Sequence, residues 1–264
     1  MKLKKIAYIL VVLLAFSCQS KYQKLLKSND YEKQFEAGVA FFEQKKYIKS
    51  QALFELLMPV YRLTERGEQV TYYLAKSYYA EKDYLMAAYY FERLATSHPY
   101  SDYFEEALFL TAMSYAHNSP VYTLDQTYTK KSISAFYTYI NKFPNGKFIK
   151  ESNENVRIMR GKLEQKAYGI SKQYHSLSNY RAAVVSLKNT LREFPDIAQR
   201  EEILYMIVDA SYNLALLSVE DKKEDRVEMA KSDYAAYVEE FPTGKWIKDV
   251  QRIYSQLQKI KIKE

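Results

Sequence analysis

The feature that most constrains the fold of this chain is an internal repeat. Residues 38–57 (GVAFFEQKKYIKSQALFELL) align without gaps with residues 75–94 (AKSYYAEKDYLMAAYYFERL), and a third copy, SKQYHSLSNYRAAVVSLKNTL, occupies residues 171–191. Each copy has a small residue, a bulky one three positions later and an aromatic one six positions further on, followed by a second small and a second large residue. Self-similarity at this period indicates stacked helix pairs, each of which buries its apolar face against its neighbours.

The template resembles the tetratricopeptide repeat, in which the small residue of the first helix lets the second helix approach closely. Four dipeptides mark the ends of second helices, because the residue before a proline avoids the helical region: His98-Pro99, Phe143-Pro144, Phe194-Pro195 and Phe241-Pro242. With only six glycines and six prolines, the chain has few turn residues. The prediction is an all-α fold, a right-handed superhelical array of about five tetratricopeptide-like helix pairs plus a C-terminal capping helix.

The repeats are not all the same length. About eight extra residues fall at 119–127 in repeat three, and a polar excess falls at 218–226 in repeat five. Apolar residues at helical spacing predict one long helix over about 147–177, and a final helix over about 245–260. The predicted organisation is a signal peptide (1–17), a lipidated linker (18–28), repeats 1–3 (29–145), and repeats 4–5 with the cap (146–264).

The N-terminus carries the pattern of an exported lipoprotein. Lysines at the start precede an apolar run that ends at Phe16, which is typical of a signal peptide and too short to span a membrane. Cys18 is the one cysteine of the chain and follows this run directly, so it has no partner for an internal disulfide. The segment resembles a bacterial lipobox, which implies that Cys18 is lipidated and anchors the protein; an ordinary signal peptide with an incidental cysteine is the alternative.

Charge and tyrosine content limit the possible partners. The formal charge of +7 falls to about +4 without the three lysines of residues 1–17, which is too dispersed to predict nucleic-acid binding.

The 27 tyrosines suit half-buried seams between helices, where the ring packs inside and the hydroxyl reaches water.

The motifs of common catalytic sites are missing from the sequence. It has no phosphate-binding GxxxxGK loop, no glycine-rich dinucleotide turn and no GxSxG elbow. The three histidines lack metal-site spacing, and the acidic pairs 105–106 and 201–202 fall at helix starts, where carboxylates complement the helix dipole. We therefore expect a non-enzymatic protein with no cofactor and no metal.

Taken together, the chain resembles the BamD (YfiO-like) family of outer-membrane β-barrel assembly lipoproteins. The resemblance rests on the lipobox, the repeat number, the stretched third repeat with LDQTYTKKSISAF, and the long helix before repeat four. It implies a scaffold anchored at the periplasmic face of the outer membrane. It further implies that the C-terminal half docks on a BamA-type barrel protein and the N-terminal half receives unfolded outer-membrane proteins.

The template also predicts a peptide-binding groove on the first helices of repeats 1–3. An extended peptide that ends in an aromatic residue and a carboxylate would use rings for its side chains and a lysine for its charge. The alternative is that these side chains pack against the N-terminal segment or a neighbouring helix. The candidate residues are Phe35, Val39, Phe42, Tyr72, Lys76, Tyr79, Phe109 and Met113.

Two other functions remain open from the sequence. A periplasmic repeat scaffold for cell-wall or division proteins would have the same anchor and array, but such proteins usually carry a coiled coil before the repeats. Glycan capture would use exposed aromatic rings, and here the single tryptophan, Trp246, lies at a repeat junction.

Overall fold

A computed structural model of the chain describes residues 21–62 and 64–261. The described residues form helices and turns, which confirms the predicted all-α class. The predicted signal peptide and Cys18 lie outside the described residues. The helices are α1 (Lys21–Leu26), α2 (Tyr31–Glu43), α3 (Tyr47–Tyr61), α4 (Glu65–Ala80), α5 (Tyr84–Ser97), α6 (Phe104–His117), α7 (Thr127–Lys142), α8 (Ile149–Ser176), α9 (Tyr180–Glu193), α10 (Arg200–Leu216), α11 (Glu220–Glu240) and α12 (Ile247–Leu257).

These helices form two compact units. The first contains the residues up to Pro120 and Thr127–Met159, and the second contains Val121–Gln126 and the residues from Arg160 onward. The division falls within the long helix α8, whereas the boundary at 145/146 was predicted from repeat ends and stays a prediction. Among residues 21–62 and 64–261, no helix combines the length and the apolar character that crossing a bilayer requires.

Close approach of paired helices explains the small residues of the template. A Cβ atom added to Gly38 would lie 2.9 Å from Cζ of Phe54, on the second helix of the same pair. The hydroxyl of Ser50 donates to the carbonyl oxygen of Gly38 at 2.9 Å, so the two small residues meet across the pair. Ala75 and Ser171, at the same template position, are completely buried. The packing role predicted for these positions is therefore confirmed.

Three helix starts show the expected side-chain capping, whereas the residues before α3, α6, α9, α10, α11 and α12 make no side-chain capping bond. The Asp30, Thr64 and Asp83 side chains accept hydrogen bonds from backbone N–H groups in the first turns of α2, α4 and α5. Such caps each stabilise a helix by about 1 kcal/mol. The residue before α3 is Lys46, whose side chain makes no capping bond.

The two stretched repeats are extended in different ways. In repeat three, the amide of buried Gln126 donates to the carbonyl oxygens of Val121 (2.9 Å) and Leu124 (3.0 Å), which orders the inserted connection. In repeat five, most of the polar excess at 218–226 is helical, because α11 already begins at Glu220 and runs for 21 residues.

The phrase PNGKF forms a hydrogen-bonded junction between repeats in the first unit. The hydroxyl of Tyr139 donates to Oε1 of Glu105 (2.8 Å) and accepts from the backbone N–H of Phe148 (2.8 Å). A Cβ atom added to Gly146 would lie 2.5 Å from that hydroxyl, so only glycine fits there. The ring of Phe148 stacks on Phe109, with 4.2 Å between centroids.

The related phrase PTGKW forms the same junction in the second unit. The hydroxyl of Tyr237 donates to Oε1 of Glu201 (2.9 Å) and accepts from the backbone N–H of Trp246 (3.2 Å). A Cβ atom on Gly244 would lie 2.3 Å from Oε1 of Glu201. The ring of Trp246 stacks on Tyr205, which accounts for the single tryptophan as a packing residue.

Candidate peptide-binding surface

All eight predicted groove residues lie in the first compact unit, on the helices α2, α4 and α6. Two of them are in its core, since Phe35 is 7% exposed and Phe109 is 5% exposed. Phe35 packs edge-on against Phe54, and Phe109 stacks on Phe148. Neighbouring helices cover these two rings, so a ligand on the surface would meet the other six side chains first.

An aromatic pair links α4 to the start of α6. The rings of Tyr72 and Tyr103 stack with 4.1 Å between centroids and 18° between planes. The hydroxyl of Tyr72 donates to Oε2 of Glu106 at 2.9 Å. Burial, reinforced by the nearby Glu106 carboxylate, raises the pKa of Tyr72 well above its usual value, so the hydroxyl remains a proton donor.

The predicted cation of the groove is present but paired. Nζ of Lys76 lies 2.7 Å from Oε1 of Glu106, and the two side chains are 28% and 32% exposed. Nζ also lies 5.6 Å from the ring centroid of Tyr72. Tyr72, Lys76 and Glu106 therefore form a single partly exposed cluster, which we call the Tyr–Lys–Glu cluster of the first unit.

A second aromatic group lies further along α4. The hydroxyl of Tyr79 is 3.0 Å from Nε2 of His117, whose ring stacks on Tyr84 with 4.4 Å between centroids. Burial raises the pKa of Tyr79 to about 12 and lowers the pKa of His117. A neutral imidazole can accept a hydrogen bond from the hydroxyl of Tyr79, and both pKa shifts favour the neutral forms of the two groups.

The remaining three groove residues are half-buried. The ring of Phe42 makes edge contacts with Tyr47 and Tyr73, at centroid distances of 5.4 Å and 5.3 Å. Val39 packs against the core beneath α2, and Met113 packs against the core beneath α6. The eight residues are thus spread along three helices, with the Tyr–Lys–Glu cluster as their most polar point.

The second unit contains a related cluster. Nζ of Lys172 lies 2.8 Å from Oε1 of Glu202 and donates to the hydroxyl of Tyr168 at 3.0 Å. Hydrogen bonding to Glu202 raises the pKa of Lys172, and the same bond lowers the pKa of Glu202. Beside this cluster, Nε2 of His175 lies 2.8 Å from Oδ2 of Asp209.

Sequence reasoning missed Tyr103, Glu106 and His117 as members of this surface. Glu105 and Glu106 were assigned to the helix dipole, and both do lie in the first turn of α6. Their side-chain hydrogen bonds go to residues 30 or more positions away, which no local pattern reveals. One sequence feature does point to a shared role for these glutamates. A second Glu-Glu pair, at 201–202, also follows a repeat end that is marked by a proline.

The surface shows no arrangement for metal chemistry. Within the part of the chain that the structure describes, no three His, Cys, Asp or Glu side chains come together as a metal site requires. The polar groups of the surface can bind and orient a ligand through hydrogen bonds, ion pairing and ring stacking.

A helical repeat array with a partly exposed aromatic and ionic surface defines a class of binding scaffolds. The chain belongs to the YfiO family of outer membrane lipoproteins, whose profile matches residues 27–226.

Two curated relatives and one solved structure are similar to the chain. A putative outer membrane protein assembly factor BamD from Aquifex aeolicus (strain VF5) is 29% identical over 233 residues, covering 85% of this chain and 74% of that protein. The outer membrane protein assembly factor BamD of Rickettsia prowazekii (strain Madrid E) is 25% identical over 264 residues, covering 98% of this chain and 100% of that protein. The TPR2AB domain of yeast Sti1, in a pHSP90 complex, matches 87% of this chain and 98% of its own at 11% identity and a TM-score of 0.39.

Proposed function

We propose that this protein is a non-enzymatic, lipid-anchored assembly factor for outer-membrane proteins. It is held at the periplasmic face of the outer membrane by lipid on Cys18. The observation that carries the proposal is the family match over residues 27–226, supported by relatives that are named outer membrane protein assembly factors. In this proposal the second half docks on a BamA-type barrel protein, and the first half receives unfolded outer-membrane proteins.

The Tyr–Lys–Glu cluster of the first unit is the proposed contact for the C-terminus of a substrate. An incoming carboxylate replaces Glu106 at Lys76, and a terminal aromatic side chain packs beside the stacked rings of Tyr72 and Tyr103. A partly exposed ion pair contributes only about 0–1 kcal/mol, so its exchange for a ligand carboxylate costs little. Glu106 is 32% exposed and can turn toward water when it is displaced.

A peptide-binding measurement tests this contact. We expect Lys76→Glu combined with Tyr79→Ala to weaken binding of a barrel-protein C-terminal peptide by about tenfold or more, because a charge-assisted contact is worth roughly 1.5–3 kcal/mol. The matched control is Lys172→Glu, which reverses the same kind of charge in the second unit. Unchanged affinity in the double variant, or equal losses in the control, would contradict the assignment to the first unit.

Docking through the second half is testable on its exposed apolar side chains. Between α10 and α11, Leu217 and Val219 are 72% and 66% exposed. We expect Leu217→Asp to reduce recovery of a BamA-type protein in a mild-detergent pull-down from the native envelope. Leu85→Asp, an exposed apolar position in the first unit, serves as the control. Recovery of cell-wall enzymes in place of a barrel protein would favour the alternative scaffold function.

A further inference from the structure

A basic cluster lies at the end of the first unit that is nearest to Cys18 in sequence. It comprises Lys21 and Lys24 on α1, and Lys45, Lys46 and Lys49 at the turn into α3, all of them exposed. Across the described ranges, none of these five lysines forms an ion pair. The acidic residues between positions 21 and 55 are Asp30, Glu32, Glu36, Glu43 and Glu55. Asp30 pairs with Lys33, Glu32 pairs with Arg66, and Glu55 accepts a hydrogen bond from Tyr78, so three of the five carboxylates have other partners.

Aromatic contacts bring the two parts of this cluster together. The ring of Tyr22 packs edge-on against Phe41 with 5.4 Å between centroids, and its hydroxyl donates to the carbonyl oxygen of Lys49. Nζ of Lys49 lies over both rings, at 5.3 Å and 5.6 Å from their centroids. At the other end of α1, buried Gln34 donates to the carbonyl oxygen of Leu25, so α1 is held against α2 at both ends.

One lysine of the cluster, Lys46, lies at a position where a lysine destabilises the helix that follows. Lys46 occupies the N-cap position of α3, where the next repeat has the capping residue Asp83. A cation at a helix N-terminus opposes the helix dipole and supplies no capping acceptor. The corresponding turn of repeat two, Glu81-Lys82-Asp83, has balancing charges, whereas repeat one has Gln44-Lys45-Lys46. A locally unfavourable choice of this kind is expected where a side chain serves binding.

We propose that this basic cluster docks on the anionic phospholipid headgroups of the membrane that holds the lipid anchor, and so orients the repeat array on its surface. The inference rests on the proposed lipidation of Cys18. Only Gln19 and Ser20 separate that residue from Lys21, so the anchor cannot be more than about 11 Å from α1 along the chain. Each lysine near an anionic surface strengthens attraction about fivefold. Ile48, 68% exposed beside Lys49, reaches the same surface with an apolar side chain.

The test uses the full lipidated chain in phosphatidylcholine vesicles with or without phosphatidylglycerol. Acylation blocks the thiol of Cys18, the one natural cysteine. A cysteine introduced at position 48 is then the single site that a thiol-reactive fluorescent label can modify. The matched control is Leu85→Cys, which lies at the same template position in repeat two and is 47% exposed. The readouts are quenching of the label by a quencher carried on the lipid and the acyl mass of the protein.

We expect at least twofold stronger quenching for Ile48→Cys than for Leu85→Cys in anionic vesicles, with the difference lost at high salt. Adding Lys46→Asp to Ile48→Cys should weaken that quenching while raising the melting temperature, because aspartate caps α3. A loss of quenching through unfolding would instead lower the melting temperature.

Equal quenching at both positions in an acylated protein would overturn the inference and leave the anchor intact. A label at position 48 that is shielded from solvent by added envelope proteins, but is not quenched in anionic vesicles, would overturn the inference. That result would indicate an acidic protein partner in place of lipid headgroups. Absence of acyl chains would overturn the anchor itself, and the headgroup docking with it.

Discussion

The two compact units have the same junction between repeats and the same kind of ionic cluster, but different residues lie beside that cluster. Both have a tyrosine hydroxyl that bridges a glutamate and a backbone N–H beside a glycine, at Tyr139 in the first and Tyr237 in the second. Both also have a Tyr–Lys–Glu cluster. The residue three before Glu106 is Tyr103, which stacks on Tyr72, whereas the residue three before Glu202 is Gln199.

The difference separates folding from binding. The glycine junction recurs in both units and is explained by helix packing alone. Features found beside only one cluster need another reason. The Tyr72–Tyr103 stack is such a feature, and so is Met113, whose counterpart seven residues after Glu202 is Asp209. The comparison therefore supports the proposal that a substrate with aromatic side chains binds in the first unit.

The largest expected effect comes from the junction glycines. We expect Gly146→Ala and Gly244→Ala each to lower the free energy of unfolding by about 2–3 kcal/mol, because the added methyl group displaces the hydroxyl of a buried tyrosine or the half-buried carboxylate bonded to it. Chemical denaturation measures the change.

Gly161→Ala is the control for this experiment, since a Cβ at Gly161 meets no atom within 4 Å. It lies inside α8, so it should stabilise the helix by about 1 kcal/mol. A large loss at only one junction would show that the two junctions are not equivalent.

A smaller, pH-dependent effect is expected from the ion pair between Lys172 and Glu202 in the second unit. The bond from Lys172 lowers the pKa of Glu202. The resulting stabilisation is present above the ordinary glutamate pKa and is lost as the pH falls through the lowered value. Lys172→Met should therefore make unfolding less acid-dependent and cost less than about 1 kcal/mol at neutral pH. An acid dependence of unfolding that is the same in Lys172→Met as in the unsubstituted protein would contradict this assignment.

The smallest effect is expected at His117 in the first unit. Burial lowers its pKa, so the folded state favours the neutral ring. The stabilisation is present above the ordinary histidine pKa and declines as the pH falls below it. His117→Gln should flatten the dependence of the melting temperature on pH in this range. A profile that is unchanged by the substitution would assign that dependence to other groups.

The sequence predicted the helices better than their contacts. The predicted long helix over 147–177 is α8, Ile149–Ser176, and the predicted final helix over 245–260 is α12, Ile247–Leu257. Apolar spacing and proline positions are local, so they locate helices and their ends. The template predicts which positions pack, but it does not say which neighbour covers them.

The contacts of the candidate surface show the same limit. Phe109 was placed in the groove, and it is instead stacked beneath Phe148, a residue that comes 39 positions later in the chain. Lys76 was expected as a cation for a ligand, and it is paired with Glu106. Both outcomes depend on side chains from another repeat. The position of a residue within its own repeat therefore does not predict whether its side chain is covered or paired.

The adjacent residues Glu105 and Glu106 have a consequence for how such an array can change length. Glu105 bonds to Tyr139 on the following helix, while Glu106 bonds to Tyr72 and Lys76 on the preceding repeat. The same division of roles recurs at Glu201 and Glu202, two repeats later. Removing one repeat would leave one of these carboxylates without its partner, whereas removing two would bring equivalent partners together. A deletion of two repeats is thus the change in length that keeps partners of the same kind for both carboxylates.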